Sequence, residues 1–143
     1  NKPDLFIIDL KLKLKKKLSL NEYLKKRRTF LITNKKNYNK TSAYKRIGYK
    51  IILVNKLDNK KDLLLLFKKI YRIGYSRIFI ETGLTFLNFL LKNKMIHSLY
   101  IFKSGKILSK NGKNNDTVKY LKKIYSKPLT INLKGDNLFK KEF

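Results

Sequence analysis

Short apolar runs, set apart by polar and basic stretches, mark out the elements of this chain. Leu5-Phe6-Ile7-Ile8 mixes branched, aromatic and aliphatic side chains and stops at Asp9, which predicts a strand. Thr29-Phe30-Leu31-Ile32-Thr33 and Lys50-Ile51-Ile52-Leu53-Val54 predict two more. The polar run from Asn34 to Ser42 reads as a loop between them. Residues 11–20, KLKLKKKLSL, alternate at first and then become a basic, exposed segment. From residue 60 to 73 the spacing turns helical. Asp58 or Asn59 can cap that helix and Gly74 can stop it.

The second half repeats the alternation. Arg77-Ile78-Phe79-Ile80 reads as a strand buried on both faces. Leu84, Leu87, Leu90 and Leu91 then recur with helical spacing over 84–94, with Phe86 and Phe89 beside them. Ser98–Phe102 is a further strand. Residues 109–117 read as a loop and 117–125 as a short helix or turn. Leu129–Leu133 and Leu138–Phe143 close the chain as strands around a Lys134-Gly135-Asp136-Asn137 turn. This order predicts an α/β fold in one domain spanning residues 1–143. Strands 5–9, 29–33, 50–54, 77–81 and 98–102 share one mixed sheet with a parallel centre and an antiparallel C-terminal edge, and helices cover both faces.

Composition changes the picture in three places. With no cysteine and one histidine, disulfides, thiolate sites and histidine-rich metal clusters are excluded, so no metal site is expected. No apolar run reaches the length of a membrane-spanning helix, so a cytoplasmic protein without a membrane partner is expected. The formal net charge of +27, from 36 basic and 9 acidic residues, raises a nucleic-acid-binding or ribosome-associated reading. Yet Ala43 is the single alanine, with 2 prolines and 6 glycines, beside abundant Lys, Asn, Ile, Leu, Phe and Tyr. An AT-rich coding sequence imposes that joint bias whatever the function. The basic residues are also dispersed along the chain, which weighs against a nucleic-acid partner.

The candidate chemistry lies in Glu81-Thr82-Gly83, where the predicted strand gives way to the helix. A glycine at such a junction either makes a tight turn or lets backbone N–H groups approach a phosphate. Glu81 is either a site carboxylate at a strand carboxyl end or a solvated strand terminus. His97 has no carboxylate companions in the sequence and reads as structural. Lys11 to Lys17 read as a solvated basic loop.

Residues 3–20, PDLFIIDLKLKLKKKLSL, are similar to the Pro-X-Val-Val-Leu-Asp strand and following loop of the reductase domain of bifunctional riboflavin-biosynthesis deaminase–reductases. RRTFLITN, IGYKIILV, DLLLLFKKIYRIGYSRIFIETG and FLNFLLKNKMIHSLYIF follow in that family's order and spacing. Glu81-Thr82-Gly83 falls on the family's Glu-Gly-Gly motif, and Gly135-Asp136 resembles its closing turn.

The resemblance implies a dihydrofolate-reductase-like fold and an NADPH-dependent oxidoreductase. Its substrate would be 5-amino-6-(5-phosphoribosylamino)uracil, a pyrimidine ribose phosphate reduced to the ribityl form. By the same resemblance Glu81 contacts substrate, while Thr82, Gly83, Leu84, Thr85 and Phe86 cradle the cofactor pyrophosphate. Asp9 and Leu10 match an Asp-Ser pair near the adenosine side, and Lys11 is the nearest group able to meet a 2′-phosphate. Thr82 stands in place of the family's first glycine, Leu10 in place of its serine, and His97-Ser98 in place of an Asp-Glu pair. The family's main substrate-binding strand precedes the segment that begins here at Pro3. The chain is therefore expected to lack the domain's N-terminal portion, with a deaminase domain upstream in the parent chain. A homodimer is compatible with this reading, and so is a degenerate reductase-like domain that binds nucleotide without turnover.

Overall fold

The computed structural model describes residues 2–16, 18–104, 128–131 and 135–143. The chain divides into two compact units, Asn1–Arg77 and Ile78–Phe143. The first contains strands β1 (Leu5–Ile8), β2 (Thr29–Asn34) and β3 (Lys50–Val54) and helices α1 (Ser42–Ile47) and α2 (Lys60–Arg72). The second contains helix α3 (Leu84–Lys92) and strands β4 (Ser98–Lys103) and β5 (Asn137–Glu142). The α/β class predicted from sequence is what forms, in the shape of a three-stranded parallel sheet and a separate two-stranded antiparallel one.

In the first unit the sheet order is β1-β2-β3, with Phe6 opposite Phe30 and Ile32 opposite Ile52. β2 is the central strand, and its residues from Thr29 through Thr33 are all buried. Branched and aromatic side chains suit such a strand because both of its faces need apolar cover. On one face Leu31 packs with Tyr44 of α1 and with Tyr49, ringed by Ile7, Leu12, Leu14, Leu24, Ile47 and Ile51. The tyrosine hydroxyls pin the irregular connections: Tyr44 donates to the Leu14 carbonyl at 2.6 Å and Tyr49 to Asn21 Oδ1 at 2.8 Å. Burial pushes both phenols above their ordinary pKa.

The opposite face is aromatic. Phe6 and Phe30 stack at 4.5 Å, and Tyr75 meets them edge-on at 4.9 and 5.9 Å. Tyr75 arrives there because of how α2 ends. Gly74 adopts φ +105 and donates to the Tyr71 carbonyl, while the Tyr75 N–H reaches back to Ile70 at 3.3 Å. This paired closure needs a left-handed residue, which glycine supplies without a Cβ clash. At its other end Asn59 caps α2 by accepting the Asp62 N–H at 2.9 Å. Both ends of α2 therefore form where the sequence places them. Leu63, Leu66 and Ile70 are its buried stripe.

Several expectations are corrected. The segment Asn34–Ser42, read as a loop, winds into a 3₁₀ helix over Lys35–Thr41 and runs directly into α1. Asn34 starts it by accepting the Lys36 N–H at 2.8 Å, a local bond that polar residues offer to a tightening turn. Residues 77–81 form no strand, and Ile78 and Phe79 are 41% and 75% exposed. Three apolar residues, Ile78, Phe79 and Ile80, supply side chains for a strand but no neighbouring edge, and periodicity cannot reveal that lack.

The single mixed sheet is likewise corrected, because residues 98–102 do not join the parallel strands. β4 pairs instead with β5, Ser98 opposite Glu142 and Phe102 opposite Leu138. Residues 128–131 are not a strand either, although the Leu129 N–H donates to Leu138 at 2.8 Å. Residues 109–117 and 117–125 lie outside the described residues.

In the second unit α3 ends with the same closure as α2, Lys94 donating to Leu91 and Met95 to Leu90. Here the left-handed position, φ +52, is held by Lys94. Its Cβ is strained where glycine would not be. Lys94→Gly should therefore stabilise the chain, and Gly74→Ala destabilise it, each by roughly 0.5–1 kcal/mol. Urea unfolding followed by circular dichroism reads both signs, and a destabilising Lys94→Gly would refute the strain argument.

Candidate functional site

The residues singled out from sequence fall at two places. Asp9, Leu10 and Lys11 follow the carboxyl end of β1, in the first unit. Asp9 Oδ2 accepts the Leu14 N–H at 2.7 Å, and its own N–H continues the sheet ladder to Ile32. The Leu10 carbonyl accepts Asn37 Nδ2 at 2.9 Å, and the same amide nitrogen reaches Thr33 Oγ1 at 3.0 Å. Asp9 and Leu10 therefore hold the chain reversal after β1. Lys11 is exposed beside them. The Leu10 side chain adds no polar group.

Glu81, Thr82, Gly83, Leu84, Thr85 and Phe86 lie in the second unit, contiguous at the start of α3. Glu81, Thr82 and Gly83 are exposed. Gly83 occupies the N-cap with φ −76 and ψ 170 and has no side chain with which to cap the helix. The Gly83 carbonyl accepts the Leu87 N–H at 3.1 Å, so the helix is formed from its first turn.

A φ of −76 is open to any residue, and a Cβ built on Gly83 meets nothing within 4 Å among the described residues. The turn therefore does not require glycine. Its lack of a side chain matters to whatever approaches the helix from outside. A helix start whose N-cap residue carries no side chain fits a pyrophosphate, since the helix dipole and N-terminal N–H groups favour an anion there. Asp9 and Leu10 fit a cofactor less well, because Asp9 Oδ2 and the Leu10 carbonyl are already engaged within the fold. Among the described residues no three His, Cys, Asp or Glu side chains assemble a metal site.

Sequence reasoning missed a second place. A cleft of about 590 Å³ opens at the amino-terminal edge of the parallel sheet, lined by Lys2, Lys25, Lys26, Arg27, Arg28 and Lys50. Lys2 lies just ahead of β1, Arg27 and Arg28 just ahead of β2, and Lys50 opens β3. A parallel sheet brings the starts of its strands to one edge, so positions far apart in sequence are gathered there. The available signal was the basic run Lys25-Lys26-Arg27-Arg28 directly before a buried strand.

Asp4 is the carboxylate in this cleft, and its charge is already engaged. It accepts the Arg28 backbone N–H at 3.0 Å and Arg28 Nε at 2.9 Å, with the guanidinium Nη2 at 2.7 Å and the Tyr75 hydroxyl on the same oxygen. The Tyr75 bond first, and then the Arg28 bonds and charge, hold the Asp4 carboxyl below its ordinary pKa against the opposing effect of burial. Burial, followed by the bond to Asp4, pushes the Tyr75 phenol upward. Lys2 Nζ sits 4.0 Å from the Tyr23 ring centre, and Lys26 Nζ 5.8 Å from the same ring.

No family model and no curated protein matches this chain.

A depressed carboxylate pKa contributes stability above the unfolded value of about 3.9, and that stability is lost as pH falls through the folded value. Asp4→Asn removes the contribution. The parent should therefore exceed Asp4→Asn in stability near neutral pH, and the gap should close as the solution is acidified below the carboxylate range. Urea midpoints for both proteins across that range check it, and a gap independent of pH would refute the charge-based account.

Proposed function

We propose that this chain is an NADPH-dependent reductase domain acting on a pyrimidine ribose phosphate of riboflavin synthesis. The observation carrying the reading is Gly83 at the N-cap of α3, with open space where a side chain would stand. It coincides with the motif through which the chain resembles the deaminase–reductase family. Asp9 and Leu10 lie in the first unit, where they hold the chain reversal after β1, so the reading rests on the start of α3.

In this reading the N–H groups at the start of α3, from Leu84 to Phe86, receive the cofactor pyrophosphate. Bound NADPH supplies the hydride. The chain's own contribution is to hold the phosphates and to orient the ribose carbon. Glu81 lies two residues before Gly83, and its carboxylate would repel the phosphates, so its role is toward the substrate. Thr82 narrows the approach that a second glycine would leave open.

Titration of the chain with NADPH, followed by cofactor fluorescence, tests the reading. Gly83→Val should fold and lose little stability, because its backbone angles and surroundings accept a side chain and the cost is that of a poorer N-cap, about 1 kcal/mol. It should weaken NADPH binding by about tenfold or more, the loss expected when charge-assisted backbone bonds to an anion are blocked. Glu81→Gln should leave NADPH affinity unchanged and lower single-turnover NADPH oxidation with the pyrimidine substrate. A parent chain that fails to bind NADPH at millimolar concentration, or a Gly83→Val variant that binds it normally, overturns the proposal.

A further inference from the structure

We infer that the cleft at the amino-terminal edge of the parallel sheet is a binding site for a phosphate group carried by a small ligand. The site is independent of the reductase reading, which rests on the start of α3. Its cations come from three separate stretches, Lys2, Lys25–Arg28 and Lys50, and meet around one concavity of about 590 Å³. Among the described residues none of Lys2, Lys25, Lys26, Arg27 and Lys50 pairs with a carboxylate, and Asp4 is taken up by Arg28 and Tyr75. Like charges gathered without a counter-charge repel one another, so a bound anion relieves the cleft of a cost that the fold imposes.

A second, independent observation points the same way. Three buried side-chain polar atoms among the described residues have no hydrogen-bond partner, and two of them, Arg27 Nε and Thr29 Oγ1, belong to residues that line this cleft. Thr29 is only 2% exposed, and buried polar atoms ordinarily find partners. A guanidinium N–H, a hydroxyl and nearby ammonium groups are the donor set that a phosphate's oxygens accept. The cleft is broad and open to solvent, and its volume lies within the range of small-ligand sites. A nucleic-acid polymer would need a charged track continuing beyond the cleft.

Backbone amide shifts of the isotope-labelled chain, recorded during titration with inorganic phosphate and then with pyrophosphate, test this. Saturable shifts are expected at Arg28, Thr29 and Lys50. Arg27→Gln should weaken the apparent affinity by about tenfold, the loss of one charge-assisted contact. Lys40→Gln, which removes an equal charge outside the cleft, should change it less than about twofold, as expected of a screened surface charge. If Arg27→Gln loses the parent's spectral dispersion, the exposed pair Lys26→Gln and Lys50→Gln carries the same expectation. Equal losses in Lys40→Gln and in the cleft variants would mean diffuse attraction and overturn the proposal. So would shifts produced by a single-stranded oligonucleotide with none from phosphate or pyrophosphate.

Discussion

Burial of β2 on both faces is the constraint from which the first unit follows. A strand without a solvent face must bond to a neighbour along each edge and be covered above and below, or its peptide groups are lost to solvent without replacement. β1 and β3 supply the edges. Tyr44 and Tyr49 supply one cover, and Phe6 with Tyr75 helps to supply the other. The polar ends of β2 meet different fates. Thr33 is buried and its hydroxyl is satisfied by Asn37, whereas the buried hydroxyl of Thr29 has no partner. The carboxyl end of the sheet is thus internally closed around Asp9, Leu10 and Asn37, and the amino end keeps unspent hydrogen-bonding capacity.

The parts legible in the sequence were those governed by local rules. β1, β2 and β3 announce themselves through Phe6-Ile7, Phe30-Leu31-Ile32 and Ile51-Ile52, whose side chains suit pleated, covered surfaces. α2 is readable end to end because Asn59 and Gly74 each do what that residue type does best at a helix terminus. The failures share a cause. Whether Arg77–Ile80 pairs with anything, and which strand accepts Ser98–Phe102, depend on edges contributed by distant residues. Apolar pattern alone carries no record of partners. α1 escaped notice because the Asn-rich run before it resembles a loop, while Asn34 in fact starts a 3₁₀ turn that leads into Ser42.

The candidate sites were unequally visible for a related reason. Glu81-Thr82-Gly83 is contiguous, so its placement at the start of α3 could be read directly, and the structure adds that Gly83 is free of backbone strain. The basic cleft is assembled from Lys2, the 25–28 run and Lys50, which look like ordinary members of a lysine-rich chain. Compositional bias explains why the cations are numerous. It does not explain why strand starts gather them, which is a property of parallel pairing.

The closure of α2 has a topological consequence. By turning the chain at Gly74, it brings Tyr75 to Asp4, so residues separated by 71 positions share a hydrogen bond. The polypeptide therefore enters and leaves the first unit at a common point. A unit whose ends meet can be spliced into a surface loop of another protein, or rejoined end to end and reopened elsewhere, with little deformation of its interior. The same meeting makes its assembly non-local. The loop between residues 4 and 75 must close before Phe6, Phe30 and Tyr75 can stack, so the aromatic face should be completed late in folding and given up early in unfolding.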